Sequence, residues 1–331
     1  MFAVVLVGGF GTRLRPLTNH VPKPMLPVVH RPMIVDLVDR LAQGGVTDVV
    51  LALGFKPEPF QAAFPGGRHG EVRVHYAVEP APLDTAGAIA FAARAVAVDD
   101  TFVVANGDII TDLPIADLVA AHRRLGAQAT LHLTPVDDPS AFGVVEVDDG
   151  GRVRRFVEKP QPGQTDSNLI NAGTYVFEPS VLDHVEPDQR LSVERVVFPL
   201  LAESHGLFGI STDHYWLDTG RPDQYLQANL DLVRGVRGAP IDGVHASARV
   251  DPSATVVDSV IGPGAEIGAG ACVTGSALLA GAFVAASAMV ESSIVAGRIG
   301  ASAQVTNCVI GVEHDVAAGE RIVDARLPSP E

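Results

Sequence analysis

Apolar positions fall into two textures along the chain, and each predicts a different kind of structure. From residue 1 to about 232, continuous apolar runs alternate with segments of helical spacing. FAVVLV (2–7) is an unbroken apolar run closed by glycines, the pattern of a strand buried on both faces. MIVDLVDRLAQGG (33–45) places apolar residues at helical intervals and stops at glycines. DVVLAL (48–53), VRVHYA (72–77), TFVVANGD (101–108) and ATLHLTPV (129–136) read as further strands. TAGAIAFAARAV (85–96) and LVAAHRRLG (118–126) read as further helices. This alternation predicts an α/β, Rossmann-like domain with a mostly parallel sheet covered by helices. Ligands of such sheets bind beyond the carboxyl ends of the strands. The glycine turn at 8–11 and Asp108 both fall at such ends.

From about residue 244 the period changes. Val244, Val250 and Val256 are six apart, as are Ile261, Ile267 and Val273, Val284 and Val290, and Val316 and Ile322. The doublets Val260-Ile261, Leu278-Leu279, Ile294-Val295 and Val309-Ile310 return every 15 to 18 residues. Hexapeptide repetition of this kind predicts a parallel β-helix over 244–325, three short strands to a coil, with Gly, Ala and Ser at tight corners. The uneven later periods predict shortened corners. RGVRGAPIDG (234–243) supplies a linker, placed over 233–243, and 1–232 forms the first domain.

Composition supports two medium domains: 331 residues, 47% hydrophobic. The formal net charge of −15 argues against a nucleic-acid surface but leaves room for small anions held by a few local cations. Cys272 and Cys308 have no zinc or disulfide spacing. They read as buried structural thiols, and a reducing cytoplasm suits them. No apolar run reaches the length of a membrane span. Only three of the 24 basic residues are lysines: Lys23, Lys56 and Lys159.

The densest chemistry lies in LVGGFGTRLRPLTNHVPKPMLPV (6–28). Gly8, Gly9 and Gly11 let backbone N–H groups approach phosphate oxygens. Thr12 follows, and Arg13 offers a planar fork for phosphate. Lys23, between two prolines, is expected in a stiff extended segment. A dinucleotide fingerprint is excluded by Leu14 at its third glycine position, and a Walker A loop by the absence of Gly-Lys-Ser/Thr.

That string resembles the signature of the sugar-1-phosphate nucleotidyltransferases, GGxGTRLxPLT followed by PKPM. EPAPLDTAGAI (79–89) is similar to the family's nucleotide segment, NGD (106–108) to its metal-bearing strand tip, and FVEKP (156–160) to its sugar-phosphate motif. NAGTYVF (171–177) and YWLDTGRPDQYLQAN (215–229) complete the resemblance, together with a left-handed β-helix at the C-terminus. The guanylyl-specific branch, acting on mannose-1-phosphate, is the most similar.

The resemblance implies formation of an NDP-sugar and pyrophosphate from an NTP and a sugar-1-phosphate, with Mg²⁺ held by Asp108 and Asp218. It gives Arg13 the leaving pyrophosphate and Lys23 the α-phosphate. Lys159 takes the sugar phosphate, while Glu158 and Asn171 take sugar hydroxyls and Gly143 lets the sugar lie against the backbone. Leu6, Gly8, Gly9, Gly11, Thr12, Glu79, Thr85 and Gly87 would line the nucleotide. Guanine presents N1–H beside an exocyclic amine, so the Glu79 carboxylate favours it over uracil or thymine. Asp84 stands where the family usually has glycine; Asp tolerates positive φ but adds a charge. Trp216 is expected to pack beside Asp218, Arg15 to add positive field or lie exposed, and Lys56 to lie in a surface loop.

Three alternatives accompany this reading. The first keeps the chemistry with another base, sugar or cyclitol. The second is a non-catalytic NDP-sugar-binding subunit. The third gives the β-helix acyl transfer through His245 or His314. The expected partners are small molecules and further copies of the chain, associating through the β-helix, with no nucleic acid or membrane.

Overall fold

The structure, a computed structural model, describes residues 1–9, 11–54 and 57–329. Phe10 and Lys56, which figure in the motifs above, lie outside the described residues. By packing, the chain forms two compact units: Met1–Gly8 with Ile34–Trp216, and Gly9–Met33 with Leu217–Glu331.

The first unit is built on a ten-stranded sheet. Its strands are β1 (Phe2–Leu6), β2 (Asp48–Leu53), β3 (Arg68–His69), β4 (Val72–Val78), β5 (Phe102–Asn106), β6 (Ala129–Pro135), β7 (Gly143–Val147), β8 (Val153–Glu158), β9 (Leu169–Phe177) and β10 (Leu207–Ser211). They run in the order β8-β7-β9-β5-β1-β2-β4-β3, with β6 pairing both β9 and β10. The pairs β5-β1, β1-β2, β2-β4 and β10-β6 are parallel. β9 runs antiparallel to β5, β6 and β7, so the sheet is mixed beyond its parallel centre. β2 is buried along its whole length, as its unbroken apolar run requires.

Helices α1 (Met33–Gln43), α2 (Asp84–Ala95) and α3 (Ile115–Leu125) follow strands as expected, within two or three residues of their predicted limits. α2 buries Ala86, Ala88, Ile89, Ala90, Ala92 and Ala93. Its small side chains let it lie close on the sheet, beneath an aromatic cluster in which Tyr175 stacks on Phe177 and both meet Phe198 edge-on.

In the second unit, three five-stranded, all-parallel sheets form a left-handed β-helix. Val250, Ile267, Val284, Ile299 and Val316 stack in one column, and Val256, Val273, Val290, Val305 and Ile322 in the next. The third column is Ile261, Leu278, Val295, Ile310 and Leu327. Here the structure corrects the sequence reading. The rung at 278 is Ala277-Leu278, not Leu278-Leu279, because Ile261 pairs with Leu278 at a full coil of 17 residues. The shortened corner falls between Val295 and Arg298, where the coil length drops to 15.

Ser259, Ser276 and Ser293 form a ladder at one corner, each hydroxyl accepting from the backbone N–H one coil further on. Cys308 closes that ladder as a buried thiol, its pKa pushed up by burial. Cys272 departs from expectation: it is only partly buried, on the outward side of its strand between Thr255 and Met289.

The segment 9–33 and helix α5 (Pro222–Val233) pack with the β-helix rather than with the large sheet. Val29 is buried against Val260 and Ala277, with Leu226, Leu232 and Val233 of α5 around them. The Val29 N–H donates to Asn229 Oδ1 at 2.7 Å, and Tyr225 Oη donates to the Pro27 carbonyl. A division read from sequence places these residues in the first domain; their tertiary contacts place them with the coil stack.

Candidate functional site

In the first unit, Gly8, Glu79 and Asp108 follow the carboxyl ends of the parallel strands β1, β4 and β5, where open α/β sheets bind ligands, while Gly143, Glu158 and Asn171 lie on the antiparallel strands β7, β8 and β9. β1 ends at Leu6, whose carbonyl accepts from Gly107 N–H at 2.9 Å, and the Glu79 N–H donates to Leu53 O at 2.8 Å. These bonds bring Gly8, Glu79 and the Asn106–Asp108 tip to neighbouring strand ends. Glu79 Oε2 accepts from the Leu83 N–H at 2.9 Å. Its Oε1 lies towards Gly8, 3.6 Å from where a side chain there would begin. Burial holds the Glu79 carboxyl above its usual pKa, and the Leu83 amide partly offsets this. Gly8 and Gly9 are exposed.

Asp84 adopts φ +60°, in the left-handed region that favours glycine. Its Oδ1 accepts from the Thr85 N–H at 2.8 Å, a local bond that helps Asp hold this conformation. Thr85 and Gly87 turn out to serve packing. Thr85 Oγ1 donates to Glu194 Oε2 at 2.6 Å and accepts from the Val193 N–H at 2.9 Å. A side chain at Gly87 would meet the Gln189 carbonyl at 2.4 Å, so glycine admits the 189–194 segment.

That segment delivers Glu194, which the sequence reading missed. Glu194 Oε2 also accepts from Ser192 Oγ at 2.7 Å. Glu158 has its pKa raised by burial and then by the charge of Glu194, with Lys159 and Arg195 opposing. Tyr175, fully buried, is raised by burial and by Glu194, Glu158 and Asp108. Asp108, Glu158 and Glu194 thus all lie near enough for their charges to act on the Tyr175 hydroxyl. The only hint of Glu194 in the sequence is a Ser-x-Glu spacing before an apolar run, which by itself reads as a helix start.

Asn171 Nδ2 donates to Tyr175 Oη at 2.9 Å, and its Oδ1 accepts from the Gly173 N–H at 3.1 Å, leaving one amide N–H for a ligand. Gly143 has a second reason to be glycine. The space of its side chain is filled by the Phe156 ring at 2.5 Å and Glu158 Oε2 at 2.9 Å, so glycine seats Glu158. Lys159 has φ +51° and an exposed ammonium 4.0 Å from Glu158 Oε1. Trp216 packs edge-on against Phe142, and its Nε1 donates to Ala172 O at 2.8 Å, a packing residue as expected.

The second unit gathers the other charges. Gly11 has φ +58° and caps a one-turn 3₁₀ helix, Thr12–Leu14. A Cβ there would meet Thr18 Cγ2 at 3.1 Å and Lys23 Cβ at 3.2 Å, so both conformation and space require glycine. Lys23 lies in a 3₁₀ turn, Lys23–Met25, not in the extended segment expected; prolines suit a first helical turn, whose N–H groups lack internal partners. Lys23 is buried, with Nζ 3.5 Å from Asp218 Oδ1. Asp218 Oδ1 and Arg13 Nη2 flank Gly220, at 3.0 and 3.1 Å from its Cβ position. Thr12 and Arg13 are exposed.

Among the described residues, no group of three or more His, Cys, Asp or Glu side chains gathers to enclose a metal. The acids present are hard oxygen donors. They fit a cation that takes one or two carboxylates and completes its shell with phosphate oxygens and water, as Mg²⁺ does.

A family model described as nucleotidyl transferase matches residues 2–235, and one described as GMPPB C-terminal domain matches residues 241–327. A mannose-1-phosphate guanylyltransferase of Mycobacterium tuberculosis is 43% identical over 276 residues, covering 80% of this chain and 76% of the relative. A mannose-1-phosphate guanyltransferase of Schizosaccharomyces pombe is 40% identical, covering 77% and 73%. A probable mannose-1-phosphate guanylyltransferase 1 of Oryza sativa is 41% identical, covering 81% and 75%. By the match over residues 2–235 and by these relatives, the chain belongs to the nucleotidyl transferase family.

Proposed function

We propose that the protein forms GDP-mannose and pyrophosphate from GTP and mannose-1-phosphate. What supports this is a pair of partly buried carboxylates in the first unit: Glu79, with Oε2 on the Leu83 N–H and Oε1 towards Gly8, and Glu158, with Oε2 against Gly143. A partly buried carboxylate needs N–H or O–H donors to offset its desolvation. Guanine offers two adjacent N–H donors to Glu79. A sugar offers hydroxyl donors to Glu158 and Glu194, and its ring carries no charge of its own.

A phosphate oxygen of the sugar-1-phosphate attacks the α-phosphorus of GTP in line, forming the new P–O bond as the bond to pyrophosphate breaks. Catalysis of this kind rests on positioning and charge neutralisation. Lys23, buried and braced by Asp218, holds its ammonium for the α-phosphate. Arg13 spans the β- and γ-phosphates with its fork. Lys159 neutralises the sugar phosphate, and Gly8, Gly9 and Gly11 supply backbone N–H donors. Asp108 and Asp218 would hold Mg²⁺, which supplies further neutralisation of the crowded phosphates.

Pyrophosphate release tests the assignment, with GTP, dTTP, UTP and ATP each paired with mannose-, glucose- and cyclitol-1-phosphates. GTP with mannose-1-phosphate should give the highest kcat/KM; parity among the pairs overturns the substrate choice, and release with none of them leaves the binding-subunit alternative. Reaction in the cytoplasm and self-association through the coil stack belong to the same proposal. No helix among the described residues is long and apolar enough to cross a membrane. Static light scattering on the full chain tests self-association, and a monomeric mass removes it.

A further inference from the structure

The last coil of the β-helix breaks its own pattern beside the phosphate loop. One column runs Val260, Ala277, Ile294, Val309 and Arg326. The first four are buried apolar residues; the fifth is an exposed arginine. The inward column beside it keeps its aliphatic at Leu327, so the change to a charged residue is confined to the outward face of the last coil. Arg326 Nη1 donates to the backbone carbonyl of Arg13 at 3.0 Å.

That carbonyl lacks a partner within its own turn, for a covalent reason. In the 3₁₀ segment, Leu14 N–H bonds to Gly11 O, Arg15 N–H to Thr12 O and Leu17 N–H to Leu14 O. The Arg13 carbonyl would take the N–H three residues on, which is Pro16 and has none. Arg326 supplies the missing donor. Two more contacts from the same coil flank it. A Cβ at Gly311 would sit 2.9 Å from Pro16 Cβ and Cγ, so glycine lets the Pro16 ring rest on the coil. His20 Nε2 lies 2.5 Å from Glu313 Oε1.

We propose that Arg326 is a positioning residue for the nucleotidyl transfer. It fixes the peptide plane after Arg13, and hence the direction in which the Arg13 guanidinium leaves the loop. The coil stack is then part of the catalytic apparatus. This inference rests on the reading of Arg13 as the group that meets the leaving pyrophosphate. Both partners of the Arg326 bond are open to water, so the bond contributes little to folding. Its loss should appear in turnover, because a small displacement of a charge-stabilising group is costly in rate.

The test is a double-mutant cycle on the full chain, read by pyrophosphate release with GTP and mannose-1-phosphate. Arg326→Ala should lower kcat by ~10-fold or more, leave KM for the sugar phosphate within ~2-fold, and leave Tm unchanged. Arg326→Lys, which keeps a donor, should recover part of the loss. In an Arg13→Ala background, Arg326→Ala should cost less than ~2-fold further, since it acts through Arg13. Gly311→Ala, which pushes on Pro16 and keeps every charge, should give the same pattern and decides the matter if Arg326→Ala does not fold. Wild-type kcat in folded Arg326→Ala, or full multiplication of its loss with that of Arg13→Ala, overturns the positioning role. Wild-type turnover in Arg13→Ala alone overturns the reading of Arg13 itself, a result separable from the first.

Discussion

Replacing Lys23 with alanine tests the centre of the proposed chemistry. The ammonium is buried and lies 3.5 Å from Asp218 Oδ1. At an effective dielectric of ~20, a pair at this distance has a gross attraction of about 5 kcal/mol, most of it offset by the desolvation of both groups. Asp218 is not stranded by the change, because Arg13 Nη2 flanks the same glycine. The stability loss should therefore stay near ~1–2 kcal/mol, a fall in Tm of ~3–6 °C for a unit of this size. The rate should suffer more. Removing one preorganised donor from a developing phosphate charge costs ~100-fold or more, about 2.7 kcal/mol. Lys23→Arg should not recover it, since the buried head group beside Asp218 Oδ1 is a compact ammonium and a guanidinium is a broad fork. Single-turnover kinetics with radiolabelled GTP, alongside calorimetric unfolding, separate the two effects. A folded Lys23→Ala protein with kcat within ~3-fold of wild type would refute the assignment of Lys23 to the α-phosphate.

Other outcomes follow from the same geometry. Glu158→Gln should lower kcat/KM ~10–100-fold through loss of a charged hydrogen bond to the sugar, yet raise Tm by ~1–3 °C at pH 7–8. The sign follows from linkage: the native carboxyl has a raised pKa, so its charge costs stability above that pKa, and the gain in the variant should vanish as pH falls through it. GTP affinity, measured by titration calorimetry, should weaken on acidification at a pH above the ordinary glutamate range, because burial raises Glu79; the Glu79→Gln variant should lose this dependence. In the coil stack, Ser276→Ala should cost ~1–3 kcal/mol in chemical denaturation, since it strips the acceptor from the buried Ser293 N–H.

Much of the fold was legible because its causes are local. An apolar run such as DVVLAL must be buried on both faces, and aliphatics six apart have no better arrangement than stacked coils. The placement of the glycine turn at 8–11 and of Asp108 at strand ends followed from strand limits alone, since parallel strands present their carboxyl ends together, whereas Glu79 was singled out by the resemblance to the family's nucleotide segment. Where the reading slipped, the information was not local. Leu278-Leu279 is as good an aliphatic doublet as Ala277-Leu278, and only the pairing of Ile261 with Leu278 chooses the register. Gly87 and Gly143 look like ligand-approach glycines, but what fills their space is the Gln189 carbonyl and the Phe156 ring, both distant in sequence.

By itself, the sequence determined the two textures, the phosphate loop and the residues that carry charge to it. Short-range sterics and period set all of these. The tertiary structure decided which residues act together. Glu194 is fixed in place because Thr85, 109 residues earlier, holds its carboxylate. The loop 9–33 joined the coil stack because its apolar residues and unpaired backbone groups found partners there, in Val260, Asn229 and Arg326. A chain cannot reveal in one dimension which distant donor will satisfy a carbonyl that its own proline has left without one.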